Sequence, residues 1–389
     1  MKGEALRTSL LGGTDMPSLT ARALLLIIFA TMACSAQADV EQECPCPGYL
    51  LSSWDAGSGE LRWSVDIPDM GWTPAFAVSN DSARIATVAN VWDGRAQGLS
   101  VSIWDTSNGE LVRDVILDAS LPIGANTAFS PDLRWLGLVP FSAAGSQFML
   151  WDLETGEIHS TFDGVSWAAF SNDSSRFLAY SAPDNHTYGS YLKGTTAAPA
   201  GIATWWDIET HTQLGSVQIP GLPLKLSSTG KLLVGVSSPA DKAHERAMSL
   251  ILVDVEGTGE AQAVGERAYR LFPFGGELDR SFVFSADSTV MALAGVGYSP
   301  QAWTGSPLSR TLLYRASNVQ WRALSPRGDK LLFQHGIPPD TKVDLLDVAE
   351  GQLVSTFDHP TLVGAKGAVF VSDGNLLTMG WPCPCLRGL

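Results

Sequence analysis

The chain has 389 residues, is 45% hydrophobic, has a mean hydropathy of +0.09 and carries a formal net charge of −15. That is the composition of a globular protein with ample length for a large buried core. No lysine- or arginine-rich block is present to neutralise a phosphate backbone or an anionic membrane surface, so nucleic acid is excluded as a partner class.

The first element is a leader. In "ARALLLIIFATMACSAQADV", Arg22 precedes an apolar run from Ala23 to Ala33 and the small-residue triplet Ala36-Gln37-Ala38. This is the layout of a secretory signal peptide over residues 1–38, and initiation at Met16 would give it a more ordinary length. The run is too short for a membrane span, and no second apolar span follows. The mature chain, from Asp39, is therefore expected to be secreted or periplasmic. The alternative is lipid attachment at Cys34, which would tether the protein to a membrane surface.

Residues 39–48 form a Cys-Pro-Cys segment (Cys44, Cys46), and residues 382–389 form a second (Cys383, Cys385). Between them lies a repeat. An apolar run closes on Trp-Asp or a variant at Asp55, Asp105, Asp152, Asp207, Asp254 and Asp347, with a degenerate copy at Trp303-Thr304. A Gly-containing turn usually follows, as in "TSNGE" and "LETGE", but the copy at Asp207 reads "IETHT" and lacks the Gly. A second signature alternates with the first: an apolar residue and Ser, a polar turn, then another apolar run. Its serines are Ser79, Ser130, Ser171, Ser227, Ser285, Ser325 and Ser372. Seven copies with four short strands each predict an all-β, seven-bladed propeller over residues 49–381, with four-stranded antiparallel blades. The large aromatic fills the gap between neighbouring sheets, and Asp, Asn and Gly suit the tight turns.

"SIWDTSNGEL", "MLWDLETGEI" and "TWWDIETHTQL", each neighbouring an "AFSPD"-type segment, resemble the WD-repeat propeller family. That resemblance implies a propeller fold. The family's Gly-His dipeptide is absent, so its His–Asp network is not carried over. "LSSWDAGSGELRWSVDI", with Trp63, is also similar to the quinoprotein-type repeat.

Within a copy the strand order is a (Ser signature), b, c (Trp-Asp) and d. The mature chain starts on c and d and ends on a and b, so the two ends should complete one shared blade. Cys44 and Cys46 should then meet Cys383 and Cys385, as disulfides in an exported protein, the alternatives being a four-thiolate metal site or free thiols. A crosslink closing so long a loop would contribute roughly 5–6 kcal/mol in the chain-entropy model.

No nucleophile elbow, zinc-protease helix, phosphate loop or calcium loop occurs. His159, His186, His211, His244, His335 and His359 show no metal-ligand spacing and read as loop or edge residues. The sequence therefore assigns no catalytic residue, no metal and no cofactor. The candidate binding surface is the face carrying the b-to-c connections: Trp92 and Arg95, then His186, Tyr188, Tyr191 and Lys193 in the long segment Ser181 to Ala203, and Arg246. Tyr, Trp and Arg are typical interface anchors, and loops on a rigid frame are where function concentrates. The leading expectation is a monomeric, non-catalytic platform for another protein, a peptide or a glycan. The alternatives are an exported propeller hydrolase or quinoprotein-like enzyme with a site at the central channel, and a lipid-tethered envelope scaffold.

Overall fold

A computed structural model describes residues 49–67, 75–92, 97–117, 126–139, 147–182, 200–237, 249–257, 260–263, 282–295, 298–305, 309–313, 319, 321–335, 342–357, 365–372 and 374–380. The chain separates into two units, Met1–Pro45 and Cys46–Leu389, and every described residue belongs to the second.

Twenty-eight strands form seven four-stranded antiparallel sheets among the described residues. The chain opens with β1 (Tyr49–Asp55) and β2 (Leu61–Ile67). Blade 1 is β3 (Ala75–Val78), β4 (Arg84–Trp92), β5 (Gln97–Asp105) and β6 (Leu111–Leu117). Blade 2 is β7 (Asn126–Phe129), β8 (Trp135–Val139), β9 (Gln147–Asp152) and β10 (Glu157–Asp163). Blade 3 is β11 (Trp167–Phe170), β12 (Arg176–Ser181), β13 (Gly201–Asp207) and β14 (Gln213–Ile219). Blade 4 is β15 (Leu222–Leu226), β16 (Leu232–Ser237), β17 (Ser249–Asp254) and β18 (Ala261–Ala263). Blade 5 is β19 (Phe282–Phe284), β20 (Val290–Gly295), β21 (Tyr298–Thr304) and β22 (Ser309–Leu313). Blade 6 is β23 (Trp321–Leu324), β24 (Lys330–His335), β25 (Lys342–Asp347) and β26 (Leu353–Phe357). The last two strands, β27 (Ala365–Ser372) and β28 (Asn375–Gly380), join β1 and β2 in the order β2-β1-β28-β27 as blade 7. The two-plus-two closure expected from the sequence is the one observed, and the degenerate copy at Trp303 is strand c of blade 5.

The core is a ring of interblade layers. Trp54 of blade 7 packs with Leu345 and Val343 of blade 6, and Trp104 of blade 1 packs with Leu51 and Met379 of blade 7. Trp151 of blade 2 packs with Val101 and Leu117 of blade 1. The Trp of a Trp-Asp pair thus fills the gap toward the preceding blade. Two of these indoles also find a polar partner. Trp54 Nε1–H donates to Thr378 Oγ1 at 2.8 Å, and Trp104 Nε1–H donates to Thr87 Oγ1 at 3.0 Å. The first bond lies in blade 7 and links the two ends of the chain.

The turns explain the recurring Ser and Asp. In the a-to-b turns Ser79, Ser130, Ser171 and Ser285 each donate Oγ–H to the Asp two residues on, at 2.5–2.7 Å. The same oxygens accept the backbone N–H of Arg84, Trp135, Arg176 and Val290. A hydroxyl both donates and accepts, which is the demand at this buried hinge. In the c-to-d turns the Asp carboxylate accepts backbone N–H groups from the turn, as Asp55 does from Gly57 and Ser58. The turn then needs a left-handed residue, supplied by Gly59, Gly109, Gly156 and Gly351 at φ +66 to +75. In blade 3 the residue there is His211, at φ +56. A side chain in that region costs on the order of 1 kcal/mol relative to glycine.

Trp54→Phe should remove the donor to Thr378 at the ring seam and lower stability by about 2 kcal/mol, read from urea unfolding. Leu111→Ala, at an exposed site on β6, should stay within about 0.5 kcal/mol of the parent.

The turn carboxylates also set an acid limit. The Ser79 hydroxyl and the Ala83 N–H hold Asp81 below its ordinary value, and the Ser171 hydroxyl does the same for Asp173. For Asp287 the Thr289 N–H acts first and the Ser285 hydroxyl next. Groups whose pKa is depressed by folding give stability that is complete above the unfolded value and lost as pH falls through the folded values. The thermal midpoint should therefore fall from about pH 4 downward. The double variant Ser79→Ala, Ser171→Ala should show a shallower acid slope, whatever its offset at neutral pH.

Candidate functional site

Antiparallel order puts the a-to-b and c-to-d turns at one end of the ring and the b-to-c and d-to-a connections at the other. The first end is laced shut by its own turns. Asn80 N–H donates to the Pro131 carbonyl at 2.8 Å, and Ala286 N–H to that of Pro326 at 2.8 Å. Asp132 N–H donates to Ser174 Oγ, and Thr229 N–H to Ser288 Oγ. The Asn80 side-chain amide reaches past blade 2 to the Asn172 carbonyl at 2.6 Å and to its Oδ1 at 2.9 Å. Asn80 and Asn172 therefore serve turn structure.

The other end carries the length. β12 and β13 are joined through 182–200, and β16 and β17 through 238–248. β4 and β5 have nine residues each, against five or six in the other b strands and six or seven in the other c strands. Their ladder continues through Val91↔Gly98 to Trp92↔Gln97. The segment of Trp92 and Arg95, placed by the sequence on a b-to-c connection, is thus mostly paired strand, and only 93–96 lie between β4 and β5. Of the predicted binding residues, Trp92 ends β4 at this face. Arg95, His186, Tyr188, Tyr191, Lys193 and Arg246 lie outside the described residues. So do Cys34, Cys44, Cys46, Cys383 and Cys385.

The long-connection end also holds a polar group that the sequence did not reveal. His335 ends β24, and its Nε2 lies 2.9 Å from Oδ2 of the buried Asp344 on β25. Thr356 of β26 donates to Oδ1 of the same carboxylate at 2.7 Å. A carboxylate only accepts, so Nε2 carries the proton, and the neutral ring keeps its free lone pair on Nδ1. The Phe333 ring, 5.4 Å away, backs the imidazole. The arrangement fixes a histidine tautomer at the mouth of the ring. His335 and Asp344 come together only because β24 and β25 pair antiparallel.

The outer rim presents edge strands. Leu61, Leu111, Ile158, Leu214 and Leu353 stand exposed on the d strands. Between blades 3 and 4, β14 borders an open groove of about 710 Å³ with Trp205, Val255 and an Arg176–Glu256 ion pair. The Arg176 guanidinium lies 4.7 Å from the Trp205 ring centre.

The fold has many counterparts among solved structures. The chain is similar to the β-propeller domain of Cps50 (Swd1) from Myceliophteria thermophila, at 11% identity over 80% of this chain and 96% of that one, with a TM-score of 0.52. It also resembles the C-terminal WD40 domain of Sif2, at 13% identity over 83% and 86%, TM-score 0.49. A third likeness is to Kuenenia stuttgartiensis hydrazine synthase, at 14% identity over 77% and 89%, TM-score 0.49. At these identities the likeness is one of fold alone. No protein-family model matches the chain, and no curated protein matches it in sequence.

Proposed function

We propose that the protein is an exported, non-catalytic β-propeller that binds another protein through the end carrying the long b-to-c connections. The asymmetry between its two ends carries this reading. One end is composed of short turns whose polar groups are spent on one another. The opposite end receives the extended β4–β5 hairpin and the connections 182–200 and 238–248. Extra chain on one end of a rigid ring is the layout of a recognition surface, and Trp92, Arg95, Tyr188, Tyr191 and Arg246 are of the types that anchor interfaces.

Export is supported by the leader and by the strand register at the seam. Leu50 pairs with Gly380, so the chain enters β1 and leaves β28 side by side. Cys46 is four residues before Leu50, and Cys383 is three after Gly380. Disulfides joining the two Cys-Pro-Cys segments would clasp the ring in an oxidising compartment.

Intact-mass analysis of protein from the envelope or medium should give an N-terminus at Asp39. Non-reduced peptide mapping should link Cys44 and Cys46 to Cys383 and Cys385. An unprocessed N-terminus together with four free thiols would remove export from the reading. For binding, residues 183–199 are replaced by a short Gly-containing turn. The variant should keep the parent's thermal midpoint to within a few degrees and lose the partner captured by crosslinking. Equal capture by the shortened chain would place recognition elsewhere.

A further inference from the structure

Each blade leans its c-to-d turn on the outer strand of the blade before it, and a side-chain donor repeatedly bonds the turn. Trp63 Nε1–H donates to the Thr106 carbonyl at 3.2 Å, and Arg113 to that of Leu153 at 3.3 Å. Between blades 2 and 3 the donor is His159, whose Nε2 lies 3.1 Å from the Ile208 carbonyl. Here alone among these three seams the donor can also act as a metal ligand.

The turn it meets is the one whose glycine is missing. Gly59, Gly109 and Gly156 hold the left-handed position under an apolar side chain of the preceding outer strand: Phe357, Trp63 and Val115. His211 holds the same position in blade 3, makes the same N–H bond to the Asp four residues back, and accepts φ +56. Its ring turns onto the preceding blade, edge-on to His159 with centroids 4.7 Å apart, and its Nε2 lies 2.9 Å from His159 Nε2.

Both imidazole nitrogens and the Ile208 oxygen thus converge on one point. A carbonyl only accepts, so His159 Nε2 carries the proton, and the Nε2 lone pair of neutral His211 faces that same proton. One proton serves two acceptors, an arrangement that a divalent cation can replace. Zinc binds imidazole nitrogen at about 2.0–2.1 Å, which in a tetrahedral site separates two nitrogens by about 3.3 Å. The pair at 2.9 Å needs to open by only a few tenths of an ångström. The surrounding charge favours a cation: Arg134 is matched by three carboxylates, Asp152, Glu154 and Glu209. The Trp135 and Phe162 rings hold the two imidazoles from behind.

We propose that His159 and His211 form a two-imidazole site for a borderline divalent transition metal, of the zinc or copper(II) class, that staples blade 2 to blade 3. The Ile208 carbonyl lies within reach as a third, harder ligand, and water completes the coordination. His211→Gly is the informative variant, because it restores the residue that the other turns use and should fold at least as well as the parent. His159→Gln keeps a donor for Ile208 and removes the ligand.

Tag-free protein is titrated with Cu²⁺ and followed by electron paramagnetic resonance, and with Zn²⁺ by thermal unfolding. The parent should bind one equivalent of Cu²⁺ with a coupling pattern of two imidazole nitrogens. Zn²⁺ should raise its midpoint by several degrees, reversibly with chelator. His211→Gly and His159→Gln should bind at least ten-fold more weakly, lose the two-nitrogen pattern and show no Zn²⁺ shift. Unchanged affinity and spectrum in either variant would overturn the site, as would a parent that shows neither response.

Discussion

The ring depends on one strand pairing. β1 and β28 meet in an unbroken antiparallel register from Leu50↔Gly380 to Asp55↔Asn375, residues more than three hundred positions apart in the chain. Blade 7 exists only through that ladder, and it supplies one wall of two interblade cores. Trp54 and Phe370 pack on blade 6, while Leu51 and Met379 pack with Trp104 of blade 1. Without the ladder both cores open together, because a ring interrupted once exposes two faces rather than one. Non-local pairing of this kind is slow to form, and its loop-closure entropy grows only logarithmically with length. Once the other six blades have stacked, the two ends are already neighbours and the remaining cost is small.

The architecture was legible in the sequence because the turns demand particular atoms. A buried hydroxyl that donates to one group and accepts from another must come from Ser or Thr, and a carboxylate capping the next turn must come from Asp. These positions therefore persist where the apolar pattern does not. The Trp position is looser. Val253 in blade 4 and Leu346 in blade 6 fill the equivalent place with less volume, since the gap needs an apolar body and no fixed polar partner. Those two copies therefore close on a variant of Trp-Asp, although their b–c ladders run without a register shift.

The polar sites were not legible, for a reason of distance along the chain. His335 and Asp344 lie nine residues apart with a strand reversal between them. His159 and His211 lie on different blades, and their approach depends on how one blade leans on the next. Spacing rules for metal and catalytic sites describe a single element and are blind to both. The one sequence signal was negative: "IETHT" lacks the glycine its sister turns carry. The β4–β5 hairpin shows the converse failure. The sequence placed Trp92 and Arg95 on a b-to-c connection, but the β4–β5 ladder that begins at Arg84↔Asp105 continues to Trp92↔Gln97 at little cost.

The division of labour between the two ends follows from satisfaction of polar groups. At the turn end, backbone and side-chain donors have partners in neighbouring turns, so a ligand arriving there must displace bonds already made. At the other end the strands stop and the connections begin. Blade packing is fixed by the buried interblade residues. The blade 2–3 seam is different again. There His211 holds the left-handed position that glycine holds in the turns of blades 1, 2, 6 and 7, within the frame itself. The left-handed residue at this turn thus carries an imidazole that meets a second imidazole across the seam, where Gly59, Gly109 and Gly156 meet apolar side chains.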